Sequence, residues 1–270
     1  MCSWAKIKND KVILPLKPTA KTQTLKDIDF NFMEKFIAEL EQCRLAELEA
    51  YLKATGLSNT TFSSDEENAL NLFNGKNSGP MRLTWQSFKL GDLFEIERGT
   101  RLTKANRIKG TRPLVTAGYE NYGVAEYISN HDQKVFKGNT ITIDMFANAF
   151  YRYSEYSADD NILVLTPKFT MSYRIGLCVT ARINAVLKAK FSYGKQYRQK
   201  DFNVTIISLP LKPTTSAQTL DDIDFHFMST LINALMKQTI QGVVQYSSAK
   251  IQATREAISQ ETPPQKDSLF

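Results

Sequence analysis

Histidine and cysteine are scarce in this 270-residue chain, and that scarcity removes several chemistries at once. The two histidines, His131 and His226, have no serine or cysteine at a spacing that suggests a nucleophile and its base. Three cysteines, Cys2, Cys43 and Cys178, stand far apart and are odd in number. Neither a disulfide framework nor a zinc site follows from them, and a reducing cytoplasm fits. No apolar run is long enough to span a bilayer, and the first residues do not read as a signal peptide. Gly91, Gly99 and Gly110 do not form a phosphate-binding loop, and no methyl-donor motif of the Asn-Pro-Pro-Tyr kind occurs. Asp144, Asp159 and Asp160 could hold a magnesium ion as nuclease carboxylates do. Acids between strands more often cap turns or pair with arginines, here Arg152. The expectation is a soluble, cytoplasmic, non-catalytic chain with no membrane contact, no metal and no cofactor of its own.

What the chain does have is a duplicated stretch. Residues 14–33 recur as residues 209–228, with no gap and only five pairs differing: Ala20/Thr215, Lys21/Ser216, Thr22/Ala217, Lys26/Asp221 and Asn31/His226. Twenty mixed residues do not repeat so closely by chance, which makes this a repeated unit. Each copy reads as a strand that ends at Leu-Pro, where proline cannot donate to a ladder, followed by a polar exit and a capped helix start. Behind the first copy Met33, Ile37, Leu40, Leu45, Leu48 and Leu52 mark an apolar stripe, with one step out of register after Leu40. Behind the second, Met228, Leu231, Leu235, Ile240, Val243 and Val244 mark another. Either helix could pack on a local core, but like helices after like exits suggest a pseudo-symmetric pair.

Between these helices the texture changes. Residues 1–27 read as the tail of a domain strand, ending at Val12, Ile13 and Leu14, with its exit loop. The first long helix takes 28–56, stopped at Gly56. A linker of 57–83 carries a short helix behind a capping box at Ser64, Asp65, Glu66 and Glu67. Residues 84–212 alternate short β-type runs with turn signals around a helix near 171–190, and close on a strand at 204–209. The second long helix takes 213–258, and 259–270, with Pro263 and Pro264, reads as a disordered tail. The fold class is therefore α+β: one mixed domain flanked by two long helices.

Charge singles out the middle. Residues 1–83 are neutral, 211–270 carry −1, and 84–210 hold 18 Lys and Arg against 11 Asp and Glu. The overall charge of +6 thus comes from the segment between the helices, which points to a polyanionic partner. Two loops concentrate it. One holds Arg98, Arg101, Lys104, Arg107, Lys109 and Arg112; the other holds Tyr193, Lys195, Gln196, Tyr197, Arg198 and Lys200. Lys and Arg neutralise phosphates, and Arg and Gln can read base edges bidentately. Arg98, Arg101, Lys195, Gln196 and Arg198 are the first candidates for lining a groove, with Thr142 and Asp144 as further ones.

The layout resembles the specificity subunits of type I restriction–modification systems and their type IIB relatives. The matching residues are Phe88 to Ile96, Pro113 to Ala117, Gly138 to Phe146, Asp159 to Ile162, Tyr193 to Arg198 and Ile207 to Leu211. The resemblance implies a target-recognition domain that binds double-stranded DNA and directs adenine methylation or cleavage by partner subunits. It implies two long helices paired as an antiparallel coiled coil, with Met33, Ile37, Leu40, Leu48 and Leu52 facing Met228, Leu235 and Val243. Methyltransferase subunits, which would carry S-adenosylmethionine, and an endonuclease subunit would dock on that scaffold. The family pattern has two recognition domains, whereas this chain shows one between two exit strands. A homodimer or a companion chain would then supply the second. A truncated assembly scaffold that binds methyltransferase subunits without reading DNA is the alternative.

Overall fold

The structure, a computed structural model, describes residues 11–20, 24–55, 57–76, 83–213 and 219–260. The expected strand tail before residue 11, the Gly56 stop, the linker centre at 77–82 and the polar tail 261–270 lie outside these residues. The helices are α1 (Phe30–Ala54), α2 (Ser64–Phe73), α3 (Leu90–Leu93), α4 (Tyr173–Leu187), α5 (Gln199–Val204) and α6 (Phe225–Gln260). The strands are β1 (Trp85–Lys89), β2 (Phe94–Arg98), β3 (Lys109–Val115), β4 (Val124–Ile128) and β5 (Thr140–Asp144). They continue as β6 (Ala149–Arg152), β7 (Ser157–Ala158), β8 (Ile162–Pro167) and β9 (Ile206–Pro210). Two units divide the chain: Phe62–Met236, and a second made of the residues up to Thr61 together with those from Lys237 onward.

In the larger unit three sheets form, ordered β2-β8-β5-β6, β4-β3-β7 and β1-β9. All pairings are antiparallel except β3 with β7. Strand β5 is buried along its whole length, so both faces of its Thr-Ile alternation are covered. Ile141 and Ile143 join Leu93, Phe94, Leu165 and the stripe Ile175, Val179, Ile183 and Leu187 of α4 in the main core. Leu187 closes that stripe, and the neighbouring Val186 is half-buried. The opposite face carries Thr140, bonded to the Tyr156 hydroxyl at 2.8 Å, and Thr142. At Gly176 a Cβ would lie 2.4 Å from the Tyr151 ring, which is what lets α4 approach β6. The expected loop at 193–200 runs instead into α5, anchored by buried Phe202 and capped by Asp201, whose carboxylate accepts the Arg198 N–H at 2.9 Å. The capping box of α2 begins one residue earlier than expected: Ser63 and Glu66 exchange bonds of 2.8 and 3.3 Å.

The duplicated stretch folds into the same motif twice. The carboxylate of Asp222 accepts the Thr219 hydroxyl and N–H at 2.6 and 3.0 Å; Asp27 accepts those of Thr24 at 2.5 and 3.1 Å. The Asp224 N–H reaches the Pro210 carbonyl at 2.9 Å, as Asp29 reaches Pro15 at 2.9 Å. Each aspartate then caps its helix: Asp224 accepts from Phe227 at 2.8 Å and Asp29 from Phe32 at 2.9 Å. Only the second copy continues a strand. Val12, Ile13 and Leu14, expected in one, belong to no strand and are exposed, and among the described residues the first copy makes a single bridge, Leu16 to Ile28.

The helical stripes depart from the expected seam. Met228 is fully buried in the main core of its own unit, and Leu235 packs on Ala69, Phe227 and Leu231. In the other unit Leu52 is buried, Met33 and Leu48 are half-buried, and Ile37, Leu40 and Val243 are exposed. The Lys237 ammonium donates to the Thr61 carbonyl at 2.9 Å and Lys250 pairs with Glu41 at 3.7 Å, so these segments run antiparallel. They do not close over Ile37, Leu40 and Val243. Helix α1 carries apolar residues on more than one side, including Phe32, Phe36 and Tyr51, and one neighbouring helix covers only one stripe.

Two substitutions separate these roles. Asp224→Ala removes a helix cap and should lower stability by about 1 kcal/mol in urea unfolding. Ile37→Asp, on an exposed position, should change it by less than about 0.5 kcal/mol. A large loss from Ile37→Asp would place that residue in a seam after all.

Candidate nucleic-acid interface

The first basic loop is fastened where β2 ends. A Cβ on Gly99 would lie 2.3 Å from the Asp159 carbonyl, so only glycine allows the loop to lie against the turn before β8. The Asp159 carboxylate accepts the Leu102 N–H at 2.9 Å. Beside it the Asp160 carbonyl accepts Arg98 Nε at 2.5 Å, and its carboxylate meets Arg98 at 3.4 Å and Arg101 at 3.9 Å. The other carboxylate oxygen, Oδ1, is buried and has no hydrogen-bond partner among the described residues. From the opposite side comes Arg198, bonded to Gln196 and, at 3.5 Å, to Asn161. Arg98, Asp160, Asn161, Tyr197 and Arg198 line one cavity of about 190 Å³. The two loops therefore share a face.

The remaining candidates divide. Lys104, Tyr193, Lys195 and Lys200 are exposed, with the Lys195 ammonium 5.4 Å from the Phe191 ring. Arg107 is mostly buried and bonded to Glu126 at 2.9 Å, a strut between the loop and β4. Three candidates belong to the interior and are corrections. Tyr197 is buried, its hydroxyl 2.9 Å from that of Thr205. Thr142 is buried and accepts Arg152 Nε at 2.9 Å. Asp144 is buried and accepts N–H groups of Gly118, Phe146 and Asn148 at 2.8–2.9 Å, so its oxygens organise the turn after β5. Asp144, Asp159 and Asp160 thus each have their own protein partners. No group of three His, Cys, Asp or Glu side chains among the described residues is placed to hold a metal.

Sequence reading missed an aromatic hollow of about 610 Å³. Tyr119 and Tyr122 stand against Phe150 at 5.7 and 5.8 Å, and Tyr151 meets Tyr153 edge-on at 4.7 Å. Tyr119, Tyr122 and Tyr153 remain exposed. Tyr122 holds a φ of 54° and Asn121 one of 47°, a left-handed pair that a tyrosine adopts only under constraint. At the floor the Arg152 guanidinium lies 5.4 Å from Phe150 and 5.8 Å from Tyr156. Burial lowers its pKa to about 10, with Tyr156 and Asp144 acting against that shift. The signal was present in the run from Phe150 to Tyr153, but a strand of aromatics reads equally well as core.

Burial pushes Tyr156 and Tyr197 up to about 12 and Cys178 up to about 11. The fold holds their protonated forms. Their contribution is complete below the ordinary thiol and phenol values and is lost as pH climbs through the raised ones. Arg152 acts in the opposite sense, one group against three. The urea midpoint should hold near neutrality and fall as pH rises above about 9. A midpoint flat into strong alkali would contradict the burial of these groups.

Residues 82–245, more than half of the chain, match the family described as the type I restriction modification DNA specificity domain. The chain belongs to that family. It is 26% identical over 165 residues to the Type II restriction enzyme BgcI specificity subunit S.BcgI of Heyndrickxia coagulans, a match over 59% of this chain and 47% of that protein. The chain thus spans about half the length of that curated relative. Among solved structures, the type I restriction–modification S subunit from M. genitalium overlays 85% of this chain and 60% of its own at 14% identity, with a TM-score of 0.47. The HsdS subunit from Thermoanaerobacter tengcongensis covers 80% of this chain and 56% of its own, at 15% identity and a TM-score of 0.41. No helix among the described residues is long and apolar enough to cross a membrane.

Proposed function

We propose that this chain is a DNA sequence-recognition subunit of a restriction–modification complex, reading duplex DNA through the face where Arg98, Arg101 and Arg198 converge. The observation that carries the reading is this convergence within the segment 84–210, which holds 18 Lys and Arg against 11 Asp and Glu, in a chain of the specificity-domain family. Asp160 holds Arg98 and Arg101 in place before DNA arrives, which lowers the entropy lost when a guanidinium engages a base edge. Lys104, Lys195 and Lys200 around it supply phosphate contacts. The exposed Tyr119, Tyr122 and Tyr153 offer flat surfaces for sugar or base contacts.

On this reading the chain performs no chemistry. Methylation or cleavage, and S-adenosylmethionine, belong to methyltransferase and endonuclease partners. A second recognition domain completes the pair on which the family's pattern is built. The scaffold reading is not favoured, because the basic residues of both loops converge on one face.

Duplex affinity should fall steeply as salt rises, because phosphate contacts release counterions. Arg98→Ala or Arg198→Ala should each cost about 1–3 kcal/mol in binding to the cognate site and relax one base position, whereas Lys200→Ala should weaken all sequences alike. Asp160→Asn should raise affinity for random duplex while narrowing the gap between cognate and random sites. Fluorescence anisotropy at several salt concentrations measures all three, with methylation patterns in cells identifying the site. Binding that ignores salt, or arginine variants that bind and methylate as before, would sink the reading.

A further inference from the structure

The aromatic hollow contains an arginine whose donors are mostly unmatched. Arg152 is 7% exposed, and a pKa of about 10 leaves it charged near neutrality. Its Nε donates to Thr142, but among the described residues no acceptor meets its two terminal nitrogens. No Asp or Glu lines the hollow. Nη2 lies 3.6 Å from where a Cβ on Gly123 would stand, against the loop that carries Tyr119 and Tyr122. Burying a cation without acceptors is unfavourable, and such a group in a cavity marks a place where a ligand brings them.

The other walls define that ligand. Tyr119, Tyr122 and Tyr153 stand exposed at the rim, and the space of about 610 Å³ falls within the roughly 300–1,000 Å³ of small-ligand sites. Aromatic faces are electron-rich, so they favour a flat neutral ring over a bare anion. The edge of one guanidinium matches two acceptors side by side. A flat ring with two such acceptors is guanine, through O6 and N7, whereas adenine sets an amino group where guanine has O6. The turn after β5 ties this hollow to the arginine face. Its Met145 carbonyl accepts the Tyr197 N–H at 2.8 Å, and its Asp144 carboxylate accepts the Gly118 N–H at 2.9 Å. Strand β6 lies two strands from β8, ~10 Å, or about three base-pair steps.

We propose that the hollow receives a guanine unstacked from the DNA, with its O6 and N7 edge on Arg152 and its ring at the tyrosine rim. This rests on the reading above that the unit binds duplex DNA. The base is not an adenine awaiting methylation, because the Arg152 donors oppose an amino group. The rim is built in advance: Tyr122 keeps its left-handed backbone, and the Asn121 side chain donates to the Val124 carbonyl at 3.1 Å. Little order is then lost when a base enters.

The test uses the full chain and three labelled duplexes of one sequence. One carries a G·C pair at its centre, one a guanine facing an abasic site, and one an adenine facing that site. An unpaired base is the least costly to extrude. Fluorescence anisotropy should show the unpaired guanine bound at least about tenfold more tightly than either of the others. Ala181→Trp, which fills the hollow from an exposed position on α4, should bring those ratios to about one, with circular dichroism unchanged. Arg152→Lys should erase the preference for guanine over adenine, and if that buried variant unfolds the Ala181→Trp result decides. Equal binding of the three duplexes, or a guanine preference that survives Ala181→Trp, overturns the inference. So does tighter binding of free guanosine 5′-monophosphate than of the unpaired-guanine duplex, since that assigns the hollow to a nucleotide. Steep salt dependence on the paired duplex without a guanine preference would overturn this inference and leave the proposed function standing. A guanine preference lost in Ala181→Trp, beside paired-duplex binding that ignores both salt and the arginine variants, would strike the proposed function and leave this site standing.

Discussion

The grip of the Asp222 carboxylate on Thr219 is the constraint on which the larger unit's exit depends. Strand β9 ends at a proline that can donate no ladder bond, so the chain must leave the sheet there. Without a further tie the departing helix could take many directions. The tie is a short loop closed by Asp222, whose pKa is lowered chiefly by the hydrogen bond from the Thr219 hydroxyl. That closure lets Ile223 bridge Leu211 and brings the Asp224 amide to the Pro210 carbonyl. The Asp224 side chain then caps α6, and Met228 enters the core one turn later. A handful of polar bonds thus fixes where α6 begins and seats its first turn against the core of its own unit.

The same logic of polar groups fixing apolar geometry operates at the basic face. Asp159 and Asp160 occupy adjacent positions and do different work: one holds the backbone at Leu102, the other orders two arginines. Their pairing is solvent-exposed on the arginine side, so it contributes little to stability. Its effect is on orientation. An arginine held by a half-buried acid can be surrendered to a base edge, and the acid then repels a misplaced phosphate, which favours discrimination over raw affinity.

Much of this was legible in the sequence, and the limits have physical causes. The duplication, the α+β class and the two basic loops are written in local patterns, and the Thr-x-x-Asp and Ser-x-x-Glu spacings encode their caps directly. What was misread depends on contacts far along the chain. Tyr197 sits among cations, yet its ring turns inward against Phe191 and its hydroxyl finds Thr205. Thr142 and Asp144 alternate on a strand whose two faces are both covered, which periodicity alone cannot distinguish from one exposed face. Helix α5 was hidden because six residues are too few to display a helical period. The aromatic hollow was hidden because its parts, at 119–122 and 150–156, meet only in three dimensions.

The duplicated stretch makes this division between local and distant causes unusually clear. Two segments with nearly the same residues make the same turn, the same cap and the same bridge, so those features are properties of the local sequence. They differ in burial, strand pairing and ring stacking, so those features are properties of whatever the segment meets. The apolar residues of the first copy cannot be explained by the turn they flank, because the turn forms in both copies through polar and backbone bonds. Val12, Leu14 and Leu16 are exposed where Ile207, Leu209 and Leu211 are buried, so their apolar character serves nothing in the turn itself.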